Sequence, residues 1–185
     1  MKNVKLATRY AKALFELAKE QNNVEQVRND MIQMNKICKS NKDFKLLLSS
    51  PIIHPEKKQA VFNQIFGGNF NELSLAFINL IAKKRREGGL EEISEKFELI
   101  YKEFKNIKTA YVKTAVEIDD LLKEKMLVLL RKKFNAEIDL KTEVNKDLIG
   151  GFVISVDDEL YDASILNKIN LLSKDFDVNI YERKF

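Results

Sequence analysis

His54 is the only imidazole in the chain and Cys38 the only thiol. Together they could in principle perform acyl transfer, the imidazole taking the proton that the thiol loses. Their settings argue otherwise. His54 is wedged between Ile53 and Pro55 in a turn, and Cys38 lies on a helical stretch among Met31, Met34 and Ile37, where it reads as one more small apolar side chain. A zinc site would have to complete its ligand set with carboxylates, and none is spaced to do so. Gly67-Gly68 and Gly88-Gly89 follow helical stretches and lack the spacing of a phosphate-cradling loop. The acidic pairs Glu91-Glu92 and Asp119-Asp120 stand at helix starts, where carboxylates complement the positive end of the dipole. No catalytic residue, cofactor or metal ligand is expected.

The strongest charge run is Lys83-Lys84-Arg85-Arg86, placed in the last turn of the fifth helix, where cations complement the negative end of the dipole. A nucleic-acid surface would interleave such cations with exposed aromatics as stacking platforms. Phe70 and Phe77 sit at helical spacing with Leu73 and Ile81 instead, which is a core pattern. The 32 basic and 28 acidic side chains leave a net charge of +4, and this near balance does not call for nucleic acid. One cysteine allows no internal disulfide, in keeping with a reducing compartment. The first residues, with Lys2, Lys5, Arg9 and Lys12, hold no continuous apolar signal-peptide core, and no stretch of about 18 apolar residues occurs. A soluble chain is expected, with any membrane association passing through a partner.

The elements that position these residues change character near residue 106. The first part reads as six helices with short breaks: Asn3 to Glu20, Val24 to Lys39, a short one holding Phe44 and Leu46 to Leu48, Pro55 to Phe66, Asn71 to Arg86, and Leu90 to Phe104. Pro55 suits a first helical turn. Gly67-Gly68 reads as a left-handed stop, and Gly88-Gly89 as a second break. From Lys108 to Ile118 the period becomes two, with Ala110, Val112, Thr114, Val116 and Ile118 on one face of a strand. Asp119 or Asp120 then caps a helix to about Phe134. Ile138, Leu140, Thr142 and Val144 form a second strand, and Phe152, Ile154 and Val156 a third, turned by Asp157-Asp158 towards Leu160-Tyr161. A last helix runs from Ser164 to Phe176. The expected fold is mainly α: an N-terminal six-helix bundle over 1–105, followed by a small α+β domain over 106–185.

Helical-wheel positions divide the helices into two kinds. Helices two and six carry one narrow apolar stripe each, enough for a single packing surface. On helix one, Val4, Leu6, Ala7, Tyr10, Ala11, Ala13, Leu14, Phe15, Leu17 and Ala18 spread over roughly 200°, and helix five is wider still. Each therefore has a second apolar strip. On helix one it is Leu6, Tyr10, Ala13 and Leu17; on helix five it is Leu73, Ala76 and Leu80. Either these are the two most central helices of the bundle, or a groove between them receives an amphipathic helix from a partner.

The same residues resemble a known family. Arg9-Tyr10-Ala11-Lys12-Ala13-Leu14-Phe15 is similar to the opening helix of F-type ATP synthase delta subunits and of the mitochondrial oligomycin-sensitivity-conferring protein. Ser50-Pro51 with Lys57-Lys58, Arg86 with Leu90, Ile93 and Phe97, the stretch Leu148-Ile149-Gly150-Gly151-Phe152-Val153-Ile154, and Asp162-Ala163-Ser164 fit the same pattern in order. Asp157 stands where glycine is usual, and Leu166 where the family often has arginine. The resemblance implies a monomeric, non-catalytic stator subunit on the cytoplasmic side of the bacterial inner membrane, with no membrane insertion of its own. In it the groove of helices one and five holds the N-terminal helix of an alpha subunit, and the second domain grips the C-terminal ends of the b subunits. Gly150, Gly151, Asp162 and Ser164 read as backbone and cap residues shaping the second domain. Leu121, Leu122, Met126, Leu129 and Leu130, with Ile165, Ile169 and Leu172, offer apolar surface that sequence does not divide between core and contact. The competing reading is an unrelated helical adaptor for some other amphipathic helix.

Overall fold

The computed structural model describes the backbone of residues 4–177 and the side chains of residues 4–173. Asn3, expected to open the first helix, and residues 178–185 of the expected second domain lie outside the described residues. The chain divides into two compact units, Met1–Phe104 and Lys105–Phe185.

The first unit is helical: α1 (Val4–Glu20), α2 (Val24–Ser40), α3 (Lys42–Ser49), α4 (Pro55–Phe66), α5 (Glu72–Lys83), a 3-10 turn at Glu87–Gly89, and α6 (Leu90–Phe104). Its core takes Ala7, Ala11, Leu14 and Ala18 from α1, Val27, Met31, Met34 and Cys38 from α2, Ile78, Ile81 and Ala82 from α5, and Leu90, Ile93 and Phe97 from α6. Phe15 packs on Phe97 and Phe104, with ring centroids 5.7 and 5.3 Å apart, and so joins α1 to α6. Between α2 and α6, Arg28 holds Glu98 with two hydrogen bonds, 2.9 Å from Nε and 2.8 Å from Nη2. The same guanidinium lies 4.2 Å from the centre of the Tyr101 ring, whose hydroxyl donates to Glu25.

Two helix ends differ from the sequence reading. Gly67 is not left-handed; its φ is −60°, and α4 simply runs out there. Helix α5 stops at Lys83, three residues before Arg86, because Arg85 takes the left-handed conformation (φ 55°). The N–H of Arg86 then donates back to the carbonyl of Ile81 (3.0 Å) and that of Arg85 to Ala82 (2.9 Å), which satisfies two end carbonyls of the helix. Asn22 closes α1 with the same pair of bonds. Only Lys83 of the basic run is therefore helical, and Lys84, Arg85 and Arg86 stand exposed beyond the end.

The second unit holds β1 (Ile107–Thr114), α7 (Asp120–Phe134), β2 (Glu137–Val144), a 3-10 turn at Lys146–Leu148, β3 (Phe152–Val156), β4 (Glu159–Asp162) and α8 (Ile165–Asp177). The sheet order is β2-β1-β3-β4, with β1 parallel to β2 through α7 and the other pairs antiparallel. Ala110, Val112, Ile138, Ile154 and Val156 bury one sheet face against Met126 and Leu130 of α7. The first strand is shorter than the alternation suggests. At its end the Thr114 carbonyl accepts from the Asn145 N–H (2.7 Å), while its hydroxyl donates to the Val116 carbonyl (2.8 Å). The chain bends there, leaving Val116 exposed and Ile118 packed on the core from outside the strand. Asp119 is the cap of α7, its carboxylate accepting from the Leu121 N–H at 3.1 Å. Strand β4, not expected from the sequence, follows a two-residue turn in which Asp157 is left-handed (φ 50°).

Candidate partner-binding surfaces

On α1 the buried side is Ala7, Ala11, Leu14, Phe15 and Ala18. The residues of the second strip lie off it: Leu6 and Tyr10 are half-buried, Ala13 is exposed, and Leu17 is 45% exposed. Helix α5 buries Ser74, Phe77, Ile78, Ile81 and Ala82, and leaves Leu73 half-buried, Ala76 exposed and Leu80 46% exposed. The two strips meet where the Tyr10 ring stands edge-on to Phe77, centroids 6.5 Å apart. Phe77 is part of the floor between the strips, whereas its spacing in the sequence marks it as core alone.

The two helices run in opposite directions. Lys19, near the end of α1, lies over Phe104 at the end of α6 (5.1 Å), and Glu25, at the start of α2, accepts from Tyr101. Asn71, the cap of α5, belongs to that same end, since its N–H donates to Asp30 (2.9 Å) and its amide to Gln26 (2.8 Å) of α2. Helix α5 therefore starts beside the end of α1, and it finishes where α6 begins.

Unit two separates the apolar residues that the sequence leaves undivided. Met126 and Leu130 are core. Leu121, Leu122 and Leu129 are exposed, Leu129 at 68%, and Val128 joins them. Leu121, Glu124, Lys125, Val128 and Leu129 border a shallow depression of about 450 Å³. On α8, Ile165, Ile169 and Leu172 are exposed at helical spacing, with Leu166 and Leu171 beside them.

Gly150, Gly151, Asp162 and Ser164 come together where β3 starts and α8 begins. The Gly150 carbonyl accepts from the Ile165 N–H (2.9 Å), and a Cβ on Gly150 would stand 2.5 Å from Ile165 Cδ1. Gly151 has φ 81°, and a Cβ there would meet the Ala163 carbonyl oxygen at 2.3 Å, so both its conformation and the close approach require glycine. Asp162 accepts from the Ser164 N–H (2.9 Å), and the Ser164 hydroxyl accepts from the Asn167 N–H (3.1 Å) as the cap of α8. The Ser164 side chain first, and then its N–H, hold the Asp162 carboxyl below its usual range. The four residues act on backbone, and none of these contacts offers a ligand site.

Lys58 has a place that the sequence reading above does not give it. It is 1% exposed, and its ammonium donates to the carbonyls of Leu48 (3.0 Å) and Ser50 (2.8 Å) and to the Glu87 carboxylate. The pair ties the end of α3 and the 3-10 turn to α4. A signal is present, because Lys58, Phe62 and Phe66 fall on one face at a spacing of four, which sets a lysine on an apolar stripe. Cys38 is 1% exposed, and burial pushes its thiol up to about 11. At pH 8 it should stay unmodified by a thiol reagent under native conditions and react at once in denaturant. Fast native labelling would show that α2 opens. His54 is exposed at the start of α4. Among the described residues no group of three or more His, Cys, Asp or Glu side chains could hold a metal ion, and no helix is long and apolar enough to cross a membrane.

Residues 6–176 match the family model described as the ATP synthase delta (OSCP) subunit. The chain is 32% identical over 184 residues to the ATP synthase subunit delta of Christiangramia forsetii, with 100% of each chain covered. It is 34% identical over 178 residues to the protein of the same name from Carboxydothermus hydrogenoformans, covering 94% of this chain and 98% of that one. Its fold is similar to that of a chain in the cryo-EM structure of the Toxoplasma gondii mitochondrial ATP synthase hexamer (TM-score 0.73, 20% identity, covering 95% of this chain and 99% of that one).

Proposed function

Because the chain belongs to the ATP synthase delta (OSCP) subunit family, it is a non-catalytic stator subunit of the ATP synthase peripheral stalk, and we propose that it works as a two-ended clamp. One end is the groove between α1 and α5, which takes the N-terminal helix of an alpha subunit of the catalytic head. The other is the exposed apolar surface of α7 and α8, which takes the C-terminal ends of the b subunits. The roles fall to separate parts of the chain, residues 1–105 holding the head and 106–185 the stalk. The first part acts as a six-helix bundle, and the assembled subunit sits as a single copy on the cytoplasmic face of the inner membrane.

The observation that carries this reading is the pair of partly exposed apolar strips meeting where Tyr10 packs on the buried Phe77. A stator transmits force and performs no bond chemistry, so what it needs is buried apolar contact area, at roughly 25 cal/mol per Å² removed from water. Both strips set an alanine between larger side chains, and a third helix can approach closely at such a position. Titrating the protein with a peptide from the alpha-subunit N-terminus, followed by NMR, is expected to shift the amides of Leu6, Tyr10, Leu73 and Leu80 in a saturable way. Saturable binding that leaves those four amides unmoved would refute the groove.

At the other end, Leu129→Asp places a charge on the exposed side of α7, away from Met126 and Leu130. Its melting temperature should match the wild type within about 4 °C, since a surface substitution costs within about 0.5 kcal/mol. Its affinity for a fragment from the far end of a b chain should fall at least about tenfold, the effect of about 1.4 kcal/mol. Unchanged capture of that fragment would move the stalk contact off α7.

A further inference from the structure

We propose that the α1/α5 groove is electrically polar along its length and accepts its helix in one direction only, with the occupant's acidic first turn over the start of α1 and its basic last turn over the end of α1. This rests on the groove reading above. The two helices are antiparallel, so the start of α1 shares one mouth of the groove with the end of α5. That mouth carries Lys83 and the exposed Lys84, Arg85 and Arg86 that follow the helix stop, and Arg9, whose guanidinium leans over the Tyr10 ring at 5.8 Å, stands on its side of the Tyr10–Phe77 contact. The opposite mouth joins the end of α1 to the start of α5 and carries Glu16, Glu20 and Glu72, all exposed. On the helical wheel Arg9 and Glu20 lie within about 70° of the middle of the apolar strip of α1, and Lys83 and Glu72 stand about as near that of α5. The three other cations of α1 lie off the strip: Lys19 sits over Phe104 of α6, and Lys5 and Lys12 fall about 110° and about 130° from the strip's middle.

An amphipathic helix that stands alone before docking gathers carboxylates in its first turn and cations in its last, to complement its own dipole. Laid into the groove, such a helix matches both mouths when it runs parallel to α1. Reversed, it sets like charges together at both. The occupant's own macrodipole pulls the other way, but with only about half a charge at each end. The facing mouths carry several full charges, so the side chains decide. The apolar strips supply the grip and the mouths supply the direction, as charge complementarity generally fixes register more than strength.

The test uses the intact protein and two synthetic helical peptides with the same apolar stripe, one with acidic residues first and basic residues last, the other with these charges exchanged. Each carries a nitroxide at its N-terminus, and amide broadening is read by NMR. The acid-first peptide is expected to broaden Thr8 and Arg9, and the exchanged peptide Leu17 to Glu20. Exchanging Arg9 and Lys83 for glutamate should weaken the acid-first peptide about tenfold at low salt, and the difference should vanish in high salt. If both peptides broaden both ends alike, or the acid-first peptide broadens the end of α1, the polarity is refuted while the groove stands. If neither peptide perturbs Leu6, Tyr10 or Leu73, the groove itself falls, and the polarity with it.

Discussion

Replacing Ala13 by aspartate is expected to detach the catalytic head from the subunit without unfolding it. Ala13 is exposed on the second strip of α1, between Tyr10 and Leu17. In the free protein the new carboxylate faces water and costs little beyond helix propensity. Under an apolar helix it would be covered with no counter-charge beside it. A buried unpaired charge costs roughly 3–5 kcal/mol, which is two to three or more orders of magnitude in affinity. Ala11→Asp is the control with the opposite outcome. Ala11 is fully buried, so its charge would point into the bundle and damage the fold whether or not a partner is present. The measurements are thermal melting of both variants and titration with the alpha-subunit N-terminal peptide. Wild-type affinity in a folded Ala13→Asp protein would place the head contact elsewhere.

The second large effect is on stability. Lys58→Met should destabilise the first unit by about 3–5 kcal/mol, because it leaves the Glu87 carboxylate buried and alone. It also removes the donor for the carbonyls of Leu48 and Ser50. At about 4–8 °C per kcal/mol for a unit of this size, the melting temperature should fall by at least about 12 °C. Glu87→Gln keeps an acceptor for Lys58 and should cost less. Adding an apolar residue at position 87 to Lys58→Met should recover part of the loss, since the stranded carboxylate is then gone. Urea unfolding of the three variants separates these cases, and a Lys58→Met protein within about 1 kcal/mol of wild type would mean that the ion pair is not anchoring the turn.

The helices with a single narrow stripe are legible in the sequence because one packing surface leaves one periodic signal. Of the α2 stripe of Val24, Val27, Met31, Met34 and Cys38, all but the half-buried Val24 are core residues, as their spacing implies. Helix α7 shows the opposite case. Its apolar residues point all round, so spacing alone does not tell which side is covered, and only the position of the sheet makes Met126 and Leu130 interior while Leu121 and Leu129 stay outside. Of the two stops read from glycine, α4 ends at Phe66 as expected though without a left-handed glycine, while α5 ends three residues before the expected Arg86. The left-handed residues after α1, α5, α6 and α7 are Asn22, Arg85, Asn106 and Asn135. Asparagine tolerates that conformation, but an arginine there gives no warning in the sequence. Strand β4 escapes a reading by pattern because four exposed residues on a sheet edge carry no buried alternation. The groove strips are readable as excess apolar width, whereas the pairing of Lys58 with Glu87 depends on two residues 29 positions apart.

Among the described residues the sheet of the second unit is bordered by β2 on one side and β4 on the other, and the outer row of a border strand is where another chain can add backbone hydrogen bonds. Such rows are templates on which identical chains can stack into fibres. Here β4 is only four residues long and begins and ends with a carboxylate, Glu159 and Asp162. Strand β2 places Glu137, Asp139, Lys141 and Glu143 at every second position, so a copy aligned in register would set each charge against its own kind. A protein that shows apolar helices to its surroundings runs a standing risk of self-association, and charges at alternate positions of its border strands disfavour the strand-to-strand form of it.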